Sequence, residues 1–259
     1  MGHRRADLFF ADAPYSARTH DGYGSSRFTK VTTFAESEAS ATDSKKALSR
    51  YAERISNGSA KKCENLQYAA WSQSEVSLLC ACFTAYVHGW WASITDHELG
   101  PCWENAFKVH KLLTFAPLPW VETGSRVRLM GDGPSNWTCW LIVGRPRNKE
   151  FARWGTLPGA YILPAENHQN RPDRITGGKS LPGMMALLGD YSREGQLVVD
   201  PCLGGGTTAI AAIRTGRRCI GIEQDRGRAE LCAELVRAEL NGTTRSASLR
   251  GQTAMFGGV

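Results

Sequence analysis

The stretch Val198-Val199-Asp200-Pro201-Cys202-Leu203-Gly204-Gly205-Gly206-Thr207-Thr208 constrains this chain more than any other. An apolar run stops at an acid, three glycines follow, and two threonines open a run of alanine and isoleucine. The pattern predicts a buried strand, a tight turn and a helix, as in a βαβ unit. Glycines let backbone approach a ligand closely, and a helix N-terminus offers unpaired N–H groups. The next apolar run, RCIGIE, closes on Glu223, 19 residues after Gly204. An acid at about that distance commonly meets ribose hydroxyls.

Three ligands compete for such a loop. A dinucleotide site calls for G-x-G-x-x-G, but Thr207-Thr208 follows Gly204-x-Gly206. A P-loop calls for a lysine that is absent from the loop. S-adenosylmethionine suits the residues present: Asp200 for its ammonium, backbone N–H groups with Thr207 and Thr208 for its carboxylate, and Glu223 for its ribose. The plain alternative is a glycine turn that only packs a strand against a helix.

A second apolar run, Leu8-Phe9-Phe10-Ala11, also ends on an acid, and Asp12-Ala13-Pro14-Tyr15 follows. A strand ending there delivers a carboxylate, a proline turn and an aromatic ring to a sheet rim. Between the two acid-terminated runs the texture changes several times. Residues 16–66 are rich in Ser, Ala, Thr and Lys with little apolar periodicity, and are expected to be a mobile insertion or lid. From Ser72, with Glu75 three positions on, a capping box announces a helix. GWWASITDHEL then reads as a strand ending at Asp96-His97, and Pro101 opens another helix. Residues 116–175 hold a turn signal at 131–134 between β-rich runs, which predicts a hairpin. Ser180-Leu181-Pro182 opens a helix ahead of the glycine loop.

D-P-x-x-G-x-G-T-T followed by I-G-I-E resembles the cofactor motifs of DNA amino-methyltransferases, and Asp12-Ala13-Pro14-Tyr15 resembles their catalytic D-P-P-Y. Gly178-Lys179-Ser180-Leu181-Pro182 sits where those enzymes carry a K-P element. The catalytic motif precedes the cofactor motif, so the order resembles the permuted β class. The resemblance implies an α/β, Rossmann-like S-adenosylmethionine-dependent methyltransferase fold, three-layer αβα, over one catalytic domain spanning residues 1–259. It implies cofactor contacts at Lys179, Asp200, Gly204, Gly206, Thr207, Thr208 and Glu223. Two departures stand out. Ala13 replaces the first proline but keeps the backbone carbonyl, and Cys202 stands where phenylalanine is common.

The implied reaction is methylation of N6 of a flipped adenine in double-stranded DNA. Asp12 and the Ala13 carbonyl would accept the two amino N–H bonds, Pro14 would fix the turn, and Tyr15 would stack on the extruded base. By resemblance Asp in the first motif position favours adenine. N4-cytosine methylation, RNA adenine methylation and a catalytically silent nucleic-acid-binding subunit remain alternatives.

The basic balance, +6 with a pI near 8.9, suits a polyanionic partner. Arg18, His20, Arg27 and Lys30 follow the catalytic motif and are candidate phosphate contacts. Arg145, Arg147, Lys149 and Arg153, with Trp154, fall in 116–175, where this class places target recognition. That region is small, so a second copy of the chain or the 16–66 segment is expected to help grip DNA. Eight cysteines contain no C-x-x-C, which favours reduced core thiols over zinc or disulfides. Trp90-Trp91 lies in an apolar run and is expected in the core. No run approaches the length of a membrane helix, and the opening residues do not read as a signal peptide. The expected setting is the cytoplasm, for a bacterial or phage-encoded protein.

Overall fold

A computed structural model describes residues 5–19, 69–124, 136–148, 150–151, 154–164 and 178–243. Its framework is one mixed eight-stranded sheet. Strand β1 (Ala6–Ala11) lies at the centre, parallel to β2 (Val87–Thr95) on one side and β7 (Leu197–Asp200) on the other. Strand β8 (Arg218–Gly221) extends the parallel half beyond β7. On the far side of β2, β5 (Thr138–Arg145) runs antiparallel and carries β3 (Leu113–Thr114) and β4 (Leu118–Glu122), also antiparallel to it. Strand β6 (Tyr161–Leu163) then joins β4 in parallel.

Near-continuous burial of β1 and β7 follows from their apolar sequences, because each has helices above and neighbours on both sides. Alternate side chains feed two cores. Leu8, Phe10 and Val198 face helices α3 (Leu181–Tyr191) and α4 (Thr207–Arg214). Phe9, Ala11 and Val199 face α1 (Gln73–Phe83) and α2 (Gly100–Val109). Phe9 stacks on Trp91 at 4.5 Å, and Trp91 meets Phe107 edge-on at 5.8 Å. The result is the three-layer αβα arrangement expected from the sequence. Helix α5 (Arg226–Leu240), capped by Asp225, packs on α4.

The sequence signals for helix starts match the caps. Ser72 and Glu75 form a reciprocal capping box on α1. Pro101 lies in the first turn of α2, and Ser180 accepts from Gly183 N at the start of α3. Gly183 lets that helix approach the sheet closely: a Cβ there would sit 2.4 Å from Leu163 Cδ1. Trp90 and Trp91 are buried, as expected. Cys80, Cys82, Cys102, Cys202, Cys219 and Cys232 are not in disulfides.

The hairpin expected around 131–134 has its turn outside the described residues, but β4 and β5 do pair antiparallel. The described parts of 116–175 supply β4, β5 and β6 to the main sheet, with β5 antiparallel to β2 and β4, and β6 parallel to β4. Of the 16–66 segment only Ser16 to Thr19 is described. Among the described residues, no helix is long and apolar enough to cross a membrane.

Candidate active site

Four carboxylates gather at one edge because four neighbouring parallel strands end there. Phe9 pairs with Val199, so Asp200 is level with Phe10 and Asp12 stands two residues further along. Ala11 pairs with Ser93, which brings Asp96 to the same edge, and Glu223 follows β8. In open α/β sheets, ligands bind outside the carboxyl ends of the strands.

Asp12 is held by two side chains, one remote in sequence and one in its own turn. Lys179 Nζ lies 2.9 Å from Asp12 Oδ1 and donates to Tyr15 Oη at 2.8 Å. Tyr15 Oη in turn lies 3.3 Å from Asp12 Oδ1 and 3.3 Å from Cys139 Sγ, at the start of β5. Lys179 is only 8% exposed. Burial would push its pKa down, but the adjacent Asp12 carboxylate outweighs that and leaves it raised, so it is an ammonium. Lys179 reaches Asp12 because it directly precedes the Ser180 cap. Glu122 Oε1 anchors that junction, accepting from Ser180 N at 3.4 Å and from Trp120 Nε1 at 2.8 Å.

Asp96 fixes the segment behind Tyr15. Its Oδ2 accepts from Ser16 N at 2.9 Å and from the Ser16 and Thr19 hydroxyls, each at 2.5 Å. Its Oδ1 accepts from Leu99 N at 2.9 Å, at the start of α2. Burial opposes ionisation, but these donors more than compensate and hold its pKa below the usual carboxylate value. A strand-end acid that sequence alone could not tell from a surface loop is thus a buried clamp. His97 beside it is exposed.

The glycine loop is drawn tight by its own acids. Asp200 is fully buried, and its Oδ1 accepts from Cys202 N at 2.9 Å. Its Oδ2 has no hydrogen-bond partner among the described residues. Burial raises its pKa to about 7 against the opposing pull of Thr208 and Cys202, with Asp12 and Glu223 adding to the rise. Glu223 is half-buried and accepts from Gly204 N at 2.8 Å and Asp225 N at 2.9 Å. Gly206 caps α4 with φ +79°, and a Cβ there would sit 2.5 Å from Cys232 Sγ. Since Gly206 has no side chain to cap α4, the first-turn N–H groups beside Thr207 and Thr208 lack intrahelical partners. Burial by the loop also raises the Cys202 thiol pKa well above normal.

The strand ends therefore bring together Asp12, Tyr15, Lys179, Asp200 and Glu223, with Ala13 and Pro14 in the turn between. The basic candidates divide. Arg18 is exposed at the same end of the sheet and pairs with Glu98 at 3.5 Å. Arg145 ends β5 level with the start of β2, at the opposite end from Cys139. It lies 5.7 to 5.9 Å from the Phe115, Phe151 and Trp90 rings, and Arg147 beside it is exposed. Trp154 donates to Asp190 O at 2.7 Å and is stacked by Arg193. The geometry thus separates Arg145 and Arg147 from the Asp12 cluster. His20, Arg27, Lys30, Lys149 and Arg153 lie outside the described residues. Cys139 and Glu122 had no sequence signal, because only the fold brings them to Tyr15 and Ser180.

A family model described as DNA methylase, N6_N4_Mtase, matches residues 164–234, the span holding Lys179, the glycine loop and Glu223. No curated protein matches the sequence. Among solved structures, the M1.HpyAVI–SAM complex superposes with a TM-score of 0.57 at 12% identity, covering 90% of this chain and 89% of that one.

The protein has a DNA methyltransferase fold.

Two further structures share this methyltransferase fold. A putative DNA modification methylase from Thermus thermophilus, complexed with S-adenosyl-L-methionine, gives a TM-score of 0.51 at 17% identity over 68% of this chain and 85% of that one. PvuII DNA methyltransferase, described as cytosine-N4-specific, gives 0.50 at 12% identity over 66% and 73%. On this fold, the edge carrying Asp12 and Asp200 is the carboxyl end of the parallel strands.

Proposed function

We propose that this chain is an S-adenosylmethionine-dependent DNA methyltransferase acting on N6 of a flipped adenine. The observation that carries the reading is the adjacency of Asp12 and Asp200 on neighbouring strands, one beside a Pro-Tyr turn and the other beside a glycine loop. The matched DNA methylase span and the structural neighbours support the same chemistry.

The chain's own residues fit the cofactor. Among the described residues Asp200 Oδ2 is a buried acceptor with no hydrogen-bond donor, which a methionyl ammonium would satisfy. Gly206 leaves backbone open at the start of α4, where N–H groups and Thr207 and Thr208 suit a carboxylate. Glu223 suits a ribose diol once it shares its hold on Gly204 N. When bound, the cofactor supplies an electrophilic methyl group on sulfonium.

The remaining work falls to the protein. An exocyclic amino nitrogen is a poor nucleophile because its lone pair is delocalised into the ring. Asp12 accepts one N–H and the Ala13 carbonyl accepts the other, which favours a pyramidal nitrogen with its lone pair free to react. After transfer, Asp12 or water takes the surplus proton from that nitrogen. Pro14 sets the turn, and the Asp96 clamp holds the segment that follows. Tyr15 is only 9% exposed, and its hydroxyl is committed to the Asp12 cluster. It therefore orients Asp12, and stacking on a base requires its face to be uncovered. The order of motifs, catalytic before cofactor, supports the permuted class. Asp in the first motif position supports adenine, with N4-cytosine the second reading because a cytosine-N4-specific enzyme shares the fold.

The test is methyl transfer to DNA by wild type and Asp12→Ala, with cofactor affinity measured on both. Loss of transfer with affinity retained supports the assignment. Undiminished transfer in Asp12→Ala removes it.

A further inference from the structure

A cation pairs with Asp12, and amino-group methylation by itself gives no reason for one. Lys179 lies on α3's approach, 164 residues from Tyr15 in sequence, yet its ammonium touches both Asp12 and the Tyr15 hydroxyl. Its distances, 2.8 Å to Tyr15 Oη and 5.1 Å to the ring centroid, put it at the hydroxyl edge of the phenol. Burying an ammonium is costly unless it is paired, and this one is paired with the one acid in the proposed reaction. Both contacts fall on Asp12 Oδ1, and among the described residues no hydrogen bond reaches Oδ2.

An acceptor and a donor therefore stand side by side at the place where the target base must present its amino group. Asp12 can only accept while ionised, and Lys179 can only donate. Adenine and cytosine share an edge of the complementary kind. Each carries an amino group, which donates, next to an unprotonated ring nitrogen, which accepts. Thymine has a carbonyl and an N–H in the corresponding places, so both protein groups would be opposed.

We propose that Lys179 is a specificity-determining residue that donates a hydrogen bond to the ring nitrogen beside the target amino group, N1 of adenine or N3 of cytosine, while Asp12 accepts from the amino group itself. The proposal rests on the reading of the chain as a DNA amino-methyltransferase with Asp12 at the reacting nitrogen. It moves Lys179 from the cofactor, where the sequence resemblance put it, to the base. A site built to pair with a polar group rejects analogues lacking it, because its own buried group is then left unpaired.

The experiment uses the full chain and a duplex carrying the sequence it methylates, mapped beforehand on genomic DNA. The target base is either natural or a deaza analogue with C–H in place of the ring nitrogen: 1-deazaadenine, or 3-deazacytosine if cytosine is the base labelled. Wild type is expected to prefer the natural base by about 10- to 100-fold in kcat/KM. Lys179→Met is expected to lose activity on the natural base and to shrink that preference by about tenfold or more, with S-adenosylmethionine affinity within about threefold of wild type. A purely structural role would lower both substrates equally and leave the preference intact, which would overturn the proposal. Loss of cofactor affinity together with an unchanged preference would return Lys179 to the cofactor. If the methionine variant does not fold, Lys179→Gln keeps a weaker donor and is expected to lower the preference partway; an unchanged preference there also overturns it. A wild type that labels no DNA base defeats the underlying reading instead, and with it this proposal.

Discussion

Asp96 Oδ2 accepts from both the backbone N–H and the hydroxyl of Ser16, tying the end of β2 to the segment that leaves Tyr15. The bond couples two acid-terminated strands: one acid belongs to the proposed reaction, and the other holds that acid's loop in place. Asp96→Asn keeps the shape but replaces an ionised acceptor of several donors with a neutral amide. Hydrogen bonds to charged groups are worth about 1.5–3 kcal/mol each, so this variant is expected to lose stability on that order and to lower kcat by loosening Asp12. Its pH dependence follows from the depressed pKa. The stability that Asp96 contributes is fully present above the unfolded value of about 4 and disappears as pH falls through the lower folded value. Chemical denaturation between pH 2 and 6 is expected to show a flatter acid limb in Asp96→Asn than in wild type.

Asp200 has the opposite sign. Its pKa is raised to about 7 in the folded protein, against about 4 unfolded. Between those values the native state binds more protons than the unfolded one, so Asp200 makes the ligand-free protein less stable as pH rises from about 4 to about 7. A bound methionyl ammonium would favour the carboxylate and expel that proton. S-Adenosylmethionine affinity is therefore expected to rise from pH 5 to pH 7, with proton release detected by calorimetry in buffers of different ionisation enthalpy. Asp200→Asn is expected to abolish the proton release.

Gly206 occupies a left-handed conformation, and any Cβ would press on Cys232. Gly206→Ala combines backbone strain with a clash and is expected to cost about 1–3 kcal/mol and to weaken cofactor binding. Adding Cys232→Ala removes the clash but not the strain. The double variant should recover part of the thermal stability lost by Gly206→Ala, as a melting comparison would show.

The parts of this site legible in the sequence were those written locally. Val198–Asp200 with its glycines, and Leu8–Asp12 with its Pro-Tyr turn, each spell a strand and the group it delivers within about a dozen residues. Parallel pairing of β1 with β7 is then what sets their two acids on neighbouring strands. The contacts that hold the site are long-range and carry no local mark. Lys179 has a place in the K-P element, but its contact with Asp12 is unmarked in sequence and depends on α3 seating close against the sheet at Gly183. Asp96 reads as an acid at a strand end, but nothing local marks Ser16 and Thr19 as its partners. Arg145 shows a placement that strand direction decides. Its neighbourhood is basic, but the antiparallel direction of β5 carries it to the far end of the sheet.

The most direct measurement incubates the protein with radiolabelled S-adenosylmethionine and unmodified genomic DNA, then digests the DNA to nucleosides and identifies the labelled one. The expected result is label on N6-methyladenine, absent when Asp12 is replaced by alanine. Label on N4-methylcytosine would keep the chemistry and overturn the choice of base. A protein that binds the cofactor yet labels no DNA base would contradict the account.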